Sequence, residues 1–290
     1  MKVADFRPGW RTDFLLHRFG AEVRELDDCV VVCTPGHEGY FWGNCLMIAD
    51  APADEDLAHW LKRFDQEVAN GRPGVRHVAI GVNSLPPEAE ALPAWREAGF
   101  DIIETATMRL QPGQLHMAPV ASAAPLQLRP IDFGSELDAI VALQASDPQG
   151  FEPEGWARFC RKQMERFALI HEAGLGEWFG LWCGDTLVAN CGLLRDGRLG
   201  RFQNVLTHPN WRRRGLCRAL VHGVSQWGFD HWGLGELLMC ADPDDVALHI
   251  YESVGFQRFD SEWGLQRNPP EDHAARRSVR LERGADEGTA

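Results

Sequence analysis

The stretch that most constrains this chain runs Phe202-Gln203-Asn204-Val205-Leu206-Thr207-His208-Pro209-Asn210-Trp211-Arg212-Arg213-Arg214-Gly215-Leu216-Cys217-Arg218-Ala219-Leu220. It predicts a strand from Phe202 to Thr207, a turn broken by Pro209, a basic loop with a glycine, and a helix. Leu216, Leu220, Val224 and Trp227 recur at three- and four-residue spacing and so share one helix face. Strand, glycine loop and helix in that order bring free backbone N–H groups and the positive end of a helix dipole to one point. Such a point suits a phosphate. Arg212, Arg213, Arg214 and Arg218 crowd a helix end where the dipole favours acidic residues. The clustering makes physical sense if a polyanion binds there. A solvated basic turn is the plainer alternative.

On these residues the chain resembles the Gcn5-related N-acetyltransferases, the GNAT family. Their acetyl-CoA signature reads Gln/Arg-x-x-Gly-x-Gly/Ala, and Arg212-Arg213-Arg214-Gly215-Leu216-Cys217 fits it, with cysteine in the last place. A second signature, Asp244-Asp245-Val246-Ala247-Leu248-His249-Ile250-Tyr251-Glu252-Ser253-Val254-Gly255-Phe256, resembles the family's Asn-x-x-Ala-x-x-Leu-Tyr-x-x-x-Gly-Phe. Asp244 takes the Asn place and Ile250 the Leu place. The resemblance spans Leu126 to Gln266.

It implies acetyl-CoA as the acyl donor. The backbone of Val205, Leu206 and Thr207 is expected to pair with the pantetheine arm. Arg212, Arg213, Arg214, Gly215, Leu216, Cys217 and Arg218 are expected to hold the pyrophosphate, with Asp244 as a further cofactor contact or simply a helix cap. Tyr251 is the expected catalytic acid, because a thiol of pKa near 8.5 leaves as an anion and gains from a nearby O–H. The plain alternative makes Tyr251 a core residue of an amphipathic helix. The family often places a Glu in the strand before the second signature, whereas Leu237-Leu238-Met239-Cys240 carries none. Glu236, Asp242 and His208 lie nearby, and none is assigned as base.

A weak internal repeat extends the picture. Trp95-Arg96-Glu97-Ala98-Gly99-Phe100 resembles Tyr251-Glu252-Ser253-Val254-Gly255-Phe256, which suggests two copies of one fold. The first copy has Asp50-Ala51-Pro52-Ala53-Asp54-Glu55-Asp56 where the phosphate loop should stand, with no glycine and four carboxylates that repel a pyrophosphate. The expectation is therefore α/β: two tandem acetyltransferase-like domains, each a mixed, mostly antiparallel sheet flanked by helices. Residues 1–112 form the degenerate copy, 113–125 a linker rich in Ala and Pro, 126–267 the acetyl-CoA domain, and 268–290 a disordered tail.

Elements expected in the first half are a helix after residue 11, strands at Val30–Val32, Phe41–Ile48 and His77–Val82, and helices at Glu55–Val68 and Pro87–Ala98, before an alternating strand at Phe100–Leu110. In the second half, helices are expected from Ser135, as N-cap, to Ala145 and from Pro153 to Ile170. A hairpin through Gly184-Asp185 leads to the central strand.

The length of 290 residues is ample for two domains, and 44% hydrophobic with 24% charged residues is a soluble globular composition. A net charge of −13 argues against a nucleic-acid binder. No run approaches a membrane span, and Met1 to Asp5 opens no leader-like segment, so a cytoplasmic protein is expected. The cysteines at Cys29, Cys33, Cys45, Cys160, Cys183, Cys191, Cys217 and Cys240 form no Cys-x-x-Cys pair, so reduced thiols and no metal are expected. The reading is an N-acetyltransferase acting on a small amine or peptide in a ternary complex. A non-catalytic acyl-CoA-binding or interaction module is the alternative. The acceptor and the oligomeric state are left open by the sequence.

Overall fold

A computed structural model describes residues 1–84, 92–116, 125–148 and 150–269. The expected tail beyond 269 and most of the expected linker lie outside these residues. Strands are β1 (Glu22–Glu25), β2 (Cys29–Cys33), β3 (Cys45–Ile48), β4 (Val78–Val82), β5 (Asp101–Leu110), β6 (Leu126–Pro130), β7 (Gly176–Cys183), β8 (Thr186–Asp196), β9 (Leu199–Thr207), β10 (Glu236–Ala241) and β11 (Gln257–Arg267). Helices are α1 (Pro8–Asp13), α2 (Leu57–Phe64), α3 (Pro93–Glu97), α4 (Phe133–Ala145), α5 (Pro153–Glu172), α6 (Leu216–Trp232) and α7 (Val246–Val254).

All strands join one sheet in the order β1-β2-β3-β4-β11-β5-β10-β9-β8-β7-β6. Read inward from either edge, β1 to β4 and β7 to β10 repeat one pattern, with β6 added outside. Each run is antiparallel until its last step, β3 to β4 or β9 to β10, which is parallel. A parallel step needs a crossover, and α2 and α6 supply it. At the centre the closing strands change places. β11 pairs with β4 of the first half, β5 pairs with β10 of the second, and the two pair antiparallel with each other from Asp101↔Gln266 to Arg109↔Gln257. The repeated Gly-Phe phrases prove to be matched turns, with φ 86 at Gly99 and 117 at Gly255.

The hydrophobic periodicity is realised as cores on both faces. Leu216, Leu220 and Val224 of α6 and Tyr251 and Val254 of α7 pack with Phe202, Met239 and Met108 on one face. On the other face, α4 and α5 cover Trp178, Trp182 and Leu194, and Trp10 and Phe14 of the α1 region cover Val32, Cys45 and Met47.

Several local expectations are corrected. The N-cap of α4 is Asp132, which accepts from Gly134 N at 2.9 Å and from Ser135 Oγ at 2.7 Å, so the helix starts ahead of Ser135. Each Asp132 oxygen takes one of these bonds, so the Ser135 hydroxyl is already engaged as a donor to the cap. Phe41–Gly43 is a 3₁₀ turn because Asn44 bonds the carbonyls of His37 and Tyr40 with its side chain, so the strand begins only at Cys45. The helix at residue 11 begins earlier, on Pro8 at its first position. Strand β1 carries no apolar alternation and is exposed throughout, so its pattern gave no signal. Of the helix expected at Pro87–Ala98, the described part is α3.

Candidate active site

The parallel pair β9–β10 is joined only over Glu236↔Leu199, Leu237↔Gly200 and Leu238↔Arg201. Beyond Arg201, β9 keeps β8 on one side while β10 turns to β5 on the other. The strands fork, and the edge of β9 from Phe202 to Thr207 loses its partner on the β10 side. An unpaired strand edge is a row of donors and acceptors that an extended amide-bearing chain can complete. At the fork β9 carries a bulge opposite Asn190 and Gly192, and Asn204 there has φ 47. Gln144 on α4 holds the bulge, its Nε2 donating to Asn190 Oδ1 at 2.9 Å and to the Asn204 carbonyl at 3.3 Å.

The end of β9 leads to α6. His208 Nδ1 caps the short turn Pro209–Trp211 by accepting from Asn210 N at 3.2 Å. Arg213 (φ 62) and Gly215 (φ 75) are both left-handed. At Gly215 the missing Cβ relieves that conformation. Gly215 is the N-cap of α6 and has no side chain to bond the first turn, so the amides of Leu216, Cys217 and Arg218 stay free. The four arginines divide into two pairs. Arg212 is tied to Asp147 and to the Thr207 carbonyl, and Arg214 lies over the Trp211 ring at 4.7 Å and bonds the Asn210 carbonyl. Arg213 and Arg218 have no hydrogen-bond or ion-pair partner among the described residues. Two free guanidinium groups beside an uncapped helix end fit a diphosphate.

Tyr251 reaches this region from α7, 6% exposed, with its ring packed in the core and its hydroxyl bonded to no described residue. Burial, and then the neighbouring Cys217, Asp245 and Cys191, push the phenol well above its ordinary range, so it stays protonated and able to donate. Cys217, at the place where the family has Gly or Ala, lies against it with a thiol that burial pushes up to about 12. That thiol is inert as a nucleophile. Asp244 is exposed at the turn before α7, but the helix cap is Asp245, which accepts from Ala247 N at 2.8 Å. The capping role considered for Asp244 therefore belongs to its neighbour, whose backbone has the extended conformation that a cap requires.

The groups considered as base are engaged or misplaced. His208 caps its own turn, Asp242 accepts from Asp244 N at 2.9 Å, and Glu236 lies at the closed end of the fork. The sequence reading missed a buried cluster on the α1 side of the fork. Arg201 Nη2 donates to Asp13 at 2.7 Å, and its Nη1 donates to Thr12 Oγ1 and Cys240 Sγ, both at 2.8 Å. Glu262 accepts from Thr107 Oγ1 at 3.3 Å. These residues come from separate segments of the chain, and no local pattern in the sequence links them.

In the first half the corresponding fork is shut. β3 and β4 pair to their ends, and Asn83 N closes the last gap by donating to the Ile48 carbonyl at 2.9 Å. Trp10 Nε1 caps Val82 at 3.1 Å. Asp54 accepts from Ala94 N at 2.8 Å and Asp56 from Ala53 N at 2.9 Å, and these carboxylates at the start of α2 repel an anion.

Residues 137–256 match the sequence profile of the Acetyltransferase (GNAT) family. The second half of the chain thus carries a GNAT acetyltransferase domain, and the donor that family uses is acetyl-CoA. Solved structures share the fold across both halves. A functionally unknown conserved protein from Staphylococcus epidermidis superposes with a TM-score of 0.67 at 11% identity, covering 87% of this chain and 95% of its own. A GCN5-related N-acetyltransferase from Kribbella flavida gives 0.58 at 15% identity, over 89% and 92%. A third, a GCN5-related N-acetyltransferase from Sphaerobacter thermophilus, gives 0.55 at 16% identity, over 89% and 84%. No curated protein sequence matches the chain. All eight cysteines are free thiols, no group of described residues could hold a metal, and no described helix is long and apolar enough to cross a membrane.

Proposed function

We propose that the protein is an acetyl-CoA-dependent N-acetyltransferase that moves the acetyl group to a primary amine by direct attack in a ternary complex. The observation that carries this reading is the fork of β9 and β10, which runs into the uncapped start of α6 beside two unpartnered arginines. In this reading Val205, Leu206 and Thr207 pair with the pantetheine arm. The amides of Leu216, Cys217 and Arg218, with Arg213, Arg218 and the Gly215 turn, hold the pyrophosphate. Arg212 and Arg214 shape the loop, and Asp244 lies at its rim. Tyr251 gives its proton to the departing thiolate. The first half holds no donor and serves as one wall of the acceptor cleft. Eight free thiols fit a reducing compartment, so we place the reaction in the cytoplasm.

The test is a calorimetric titration of acetyl-CoA into the wild type and into Arg213→Glu/Arg218→Glu, followed by CoA-release assays over a panel of small amines. Binding near micromolar, about −8 kcal/mol, that collapses in the double variant supports the donor site. No heat from the wild type, or no CoA release with any amine, overturns the enzyme reading.

A further inference from the structure

We infer that Asp13, which belongs to the first half of the chain, is the proton acceptor for the amine attacked onto the acetyl group in the second half's fork. This rests on the acetyltransferase reading above and names a base from outside the second half.

The position is the first argument. Arg201 and Leu238 form the last pair before β9 and β10 separate, and Cys240 lies two residues past that point. The Arg201 side chain, 5% exposed, bonds Asp13, Thr12 and Cys240. Asp13 is therefore one guanidinium away from the fork, on the face opposite α6 and α7 and their Tyr251. A proton donor on one face and an acceptor on the other flank the thioester from both sides.

The second argument is what else is there. The charged and titratable groups facing Asp13 are Arg201 from β9, Cys240 from β10, Glu262 from β11, Tyr40 and Cys45 from the first half, and His17 beyond α1, with Asp260 next to Glu262 and Arg166 next to His17. Asp260 is bound by Arg7. Glu262 is packed against α1 and Thr107, and at neutral pH it is the protonated partner of the pair. Asp13 spends one oxygen on Arg201, and its other oxygen has no described partner. Its side chain is 22% exposed. Burial holds its carboxyl above the ordinary range against the pull of Arg201, which makes it a better base than a surface carboxylate.

The third observation points to a ligand. Asp13 lines a recess together with Trp10, Phe14, His17 and Trp42. His17, 4% exposed, leaves its Nδ1 buried and without a hydrogen-bond partner. A buried unpaired imidazole nitrogen beside a carboxylate with a free oxygen calls for a small polar guest. The recess has room for about one water, which would bond both groups and stand as a relay to Asp13.

The step balances without further reactants. The neutral amine nitrogen bonds to the thioester carbon, and the C–S bond breaks with its electron pair on sulfur. Sulfur takes the Tyr251 proton and Asp13 takes the N–H proton. Solvent then reprotonates the tyrosine and receives the proton from Asp13.

The experiment measures kcat/KM against pH at saturating acetyl-CoA for the wild type, Asp13→Asn and Asp13→Glu, with acetyl-CoA affinity as the check on folding. The expected result is a fall of about 100-fold or more in Asp13→Asn, unchanged acetyl-CoA affinity, loss of the acid limb, and partial recovery in Asp13→Glu. If Asp13→Asn does not fold, the wild type decides alone, with two accepted amines of different basicity. An acid limb fixed at one pH supports an enzyme base, and one that tracks the amine's own pKa overturns it. An Asp13→Asn variant with wild-type turnover and pH profile overturns the inference and leaves the acetyltransferase reading standing. Absence of CoA release with every amine overturns both.

Discussion

Gly9 and Glu262 are packed so closely that a Cβ on Gly9 would lie 1.2 Å from the Glu262 Oε1 and 2.6 Å from the Thr107 Oγ1. Helix α1 can approach the exchanged strands β5 and β11 only because residue 9 has no side chain. Gly9→Ala would gain helix propensity worth up to about 1 kcal/mol, yet must displace a buried carboxylate that is bonded to Thr107. Overpacking of about 1–3 kcal/mol wins. A lower melting temperature is expected, and an unchanged or higher one would mean that α1 lifts freely from the sheet.

Glu262 also sets a pH dependence. Burial, and next the charge of Asp13, push its carboxyl up to about 8, against the pull of Arg201 and the Thr107 bond. Its folded value lies above its unfolded one, so its contribution to stability is full below about 4.5 and is lost as pH rises through 8. Glu262→Gln stays neutral throughout. Denaturant midpoints of the wild type should fall relative to this variant between pH 5 and 9, and parallel profiles would show that Glu262 ionises normally.

The histidines act in the opposite direction. Burial, then Arg166, lowers His17 to about 3. Burial, then Arg166 and Lys162, lowers His37 to about 4, and burial lowers His77 to about 4. Stability from keeping these rings neutral is present above about 6.5 and is lost as pH falls, at up to about 1.4 kcal/mol per ring per pH unit. His17→Phe, which keeps a ring against Phe14, should lose less stability between pH 7 and 5 than the wild type. Equal losses in urea titrations would place the acid sensitivity elsewhere.

The strand, glycine turn and helix of this loop were legible in the sequence because their physics is local. Gly215, the arginines and the apolar face of α6 lie within a few turns of chain, and the structure has the turn at Gly215 and the helix from Leu216. The matched Gly99 and Gly255 turns were legible for the same reason. The exchange of β5 and β11 was not. Either strand satisfies the same alternation whether it pairs with its own half or the other, because periodicity fixes which face is apolar and not which edge is adjacent. The Asp13–Arg201 pair spans 188 residues. It shows in the sequence only as charges inside apolar segments, which an exposed charge would resemble equally well.

Tyr251→Phe separates catalysis from binding. The ring is buried in the α6–α7 core and the hydroxyl has no partner among the described residues, so removal of the oxygen leaves the packing intact. Turnover is expected to fall about 10²-fold or more with acetyl-CoA affinity unchanged. A slow rate that does not respond to the substitution would favour a binding module.

The arginines should not be equivalent. Arg213 and Arg218 have no partner among the described residues, so their charge is available to a diphosphate, whereas Arg212 is committed to Asp147 and Thr207, and Arg214 to Trp211 and Asn210. Arg213→Ala and Arg218→Ala should each weaken acetyl-CoA binding by about tenfold, the size of one charge-assisted contact of roughly 1.5 kcal/mol. Both should also flatten the dependence of affinity on ionic strength, since the lost term is a screened charge interaction. Arg214→Ala should change affinity less, because its guanidinium is stacked on its own turn. Arg212→Ala removes the tie between the end of β9 and Asp147, so its loss should come through a looser loop and leave the salt dependence near that of the wild type. Calorimetric titrations of the four variants at two salt concentrations distinguish these cases. Equal losses with equal salt slopes would mean that the loop acts as a diffuse basic patch rather than as a shaped phosphate site.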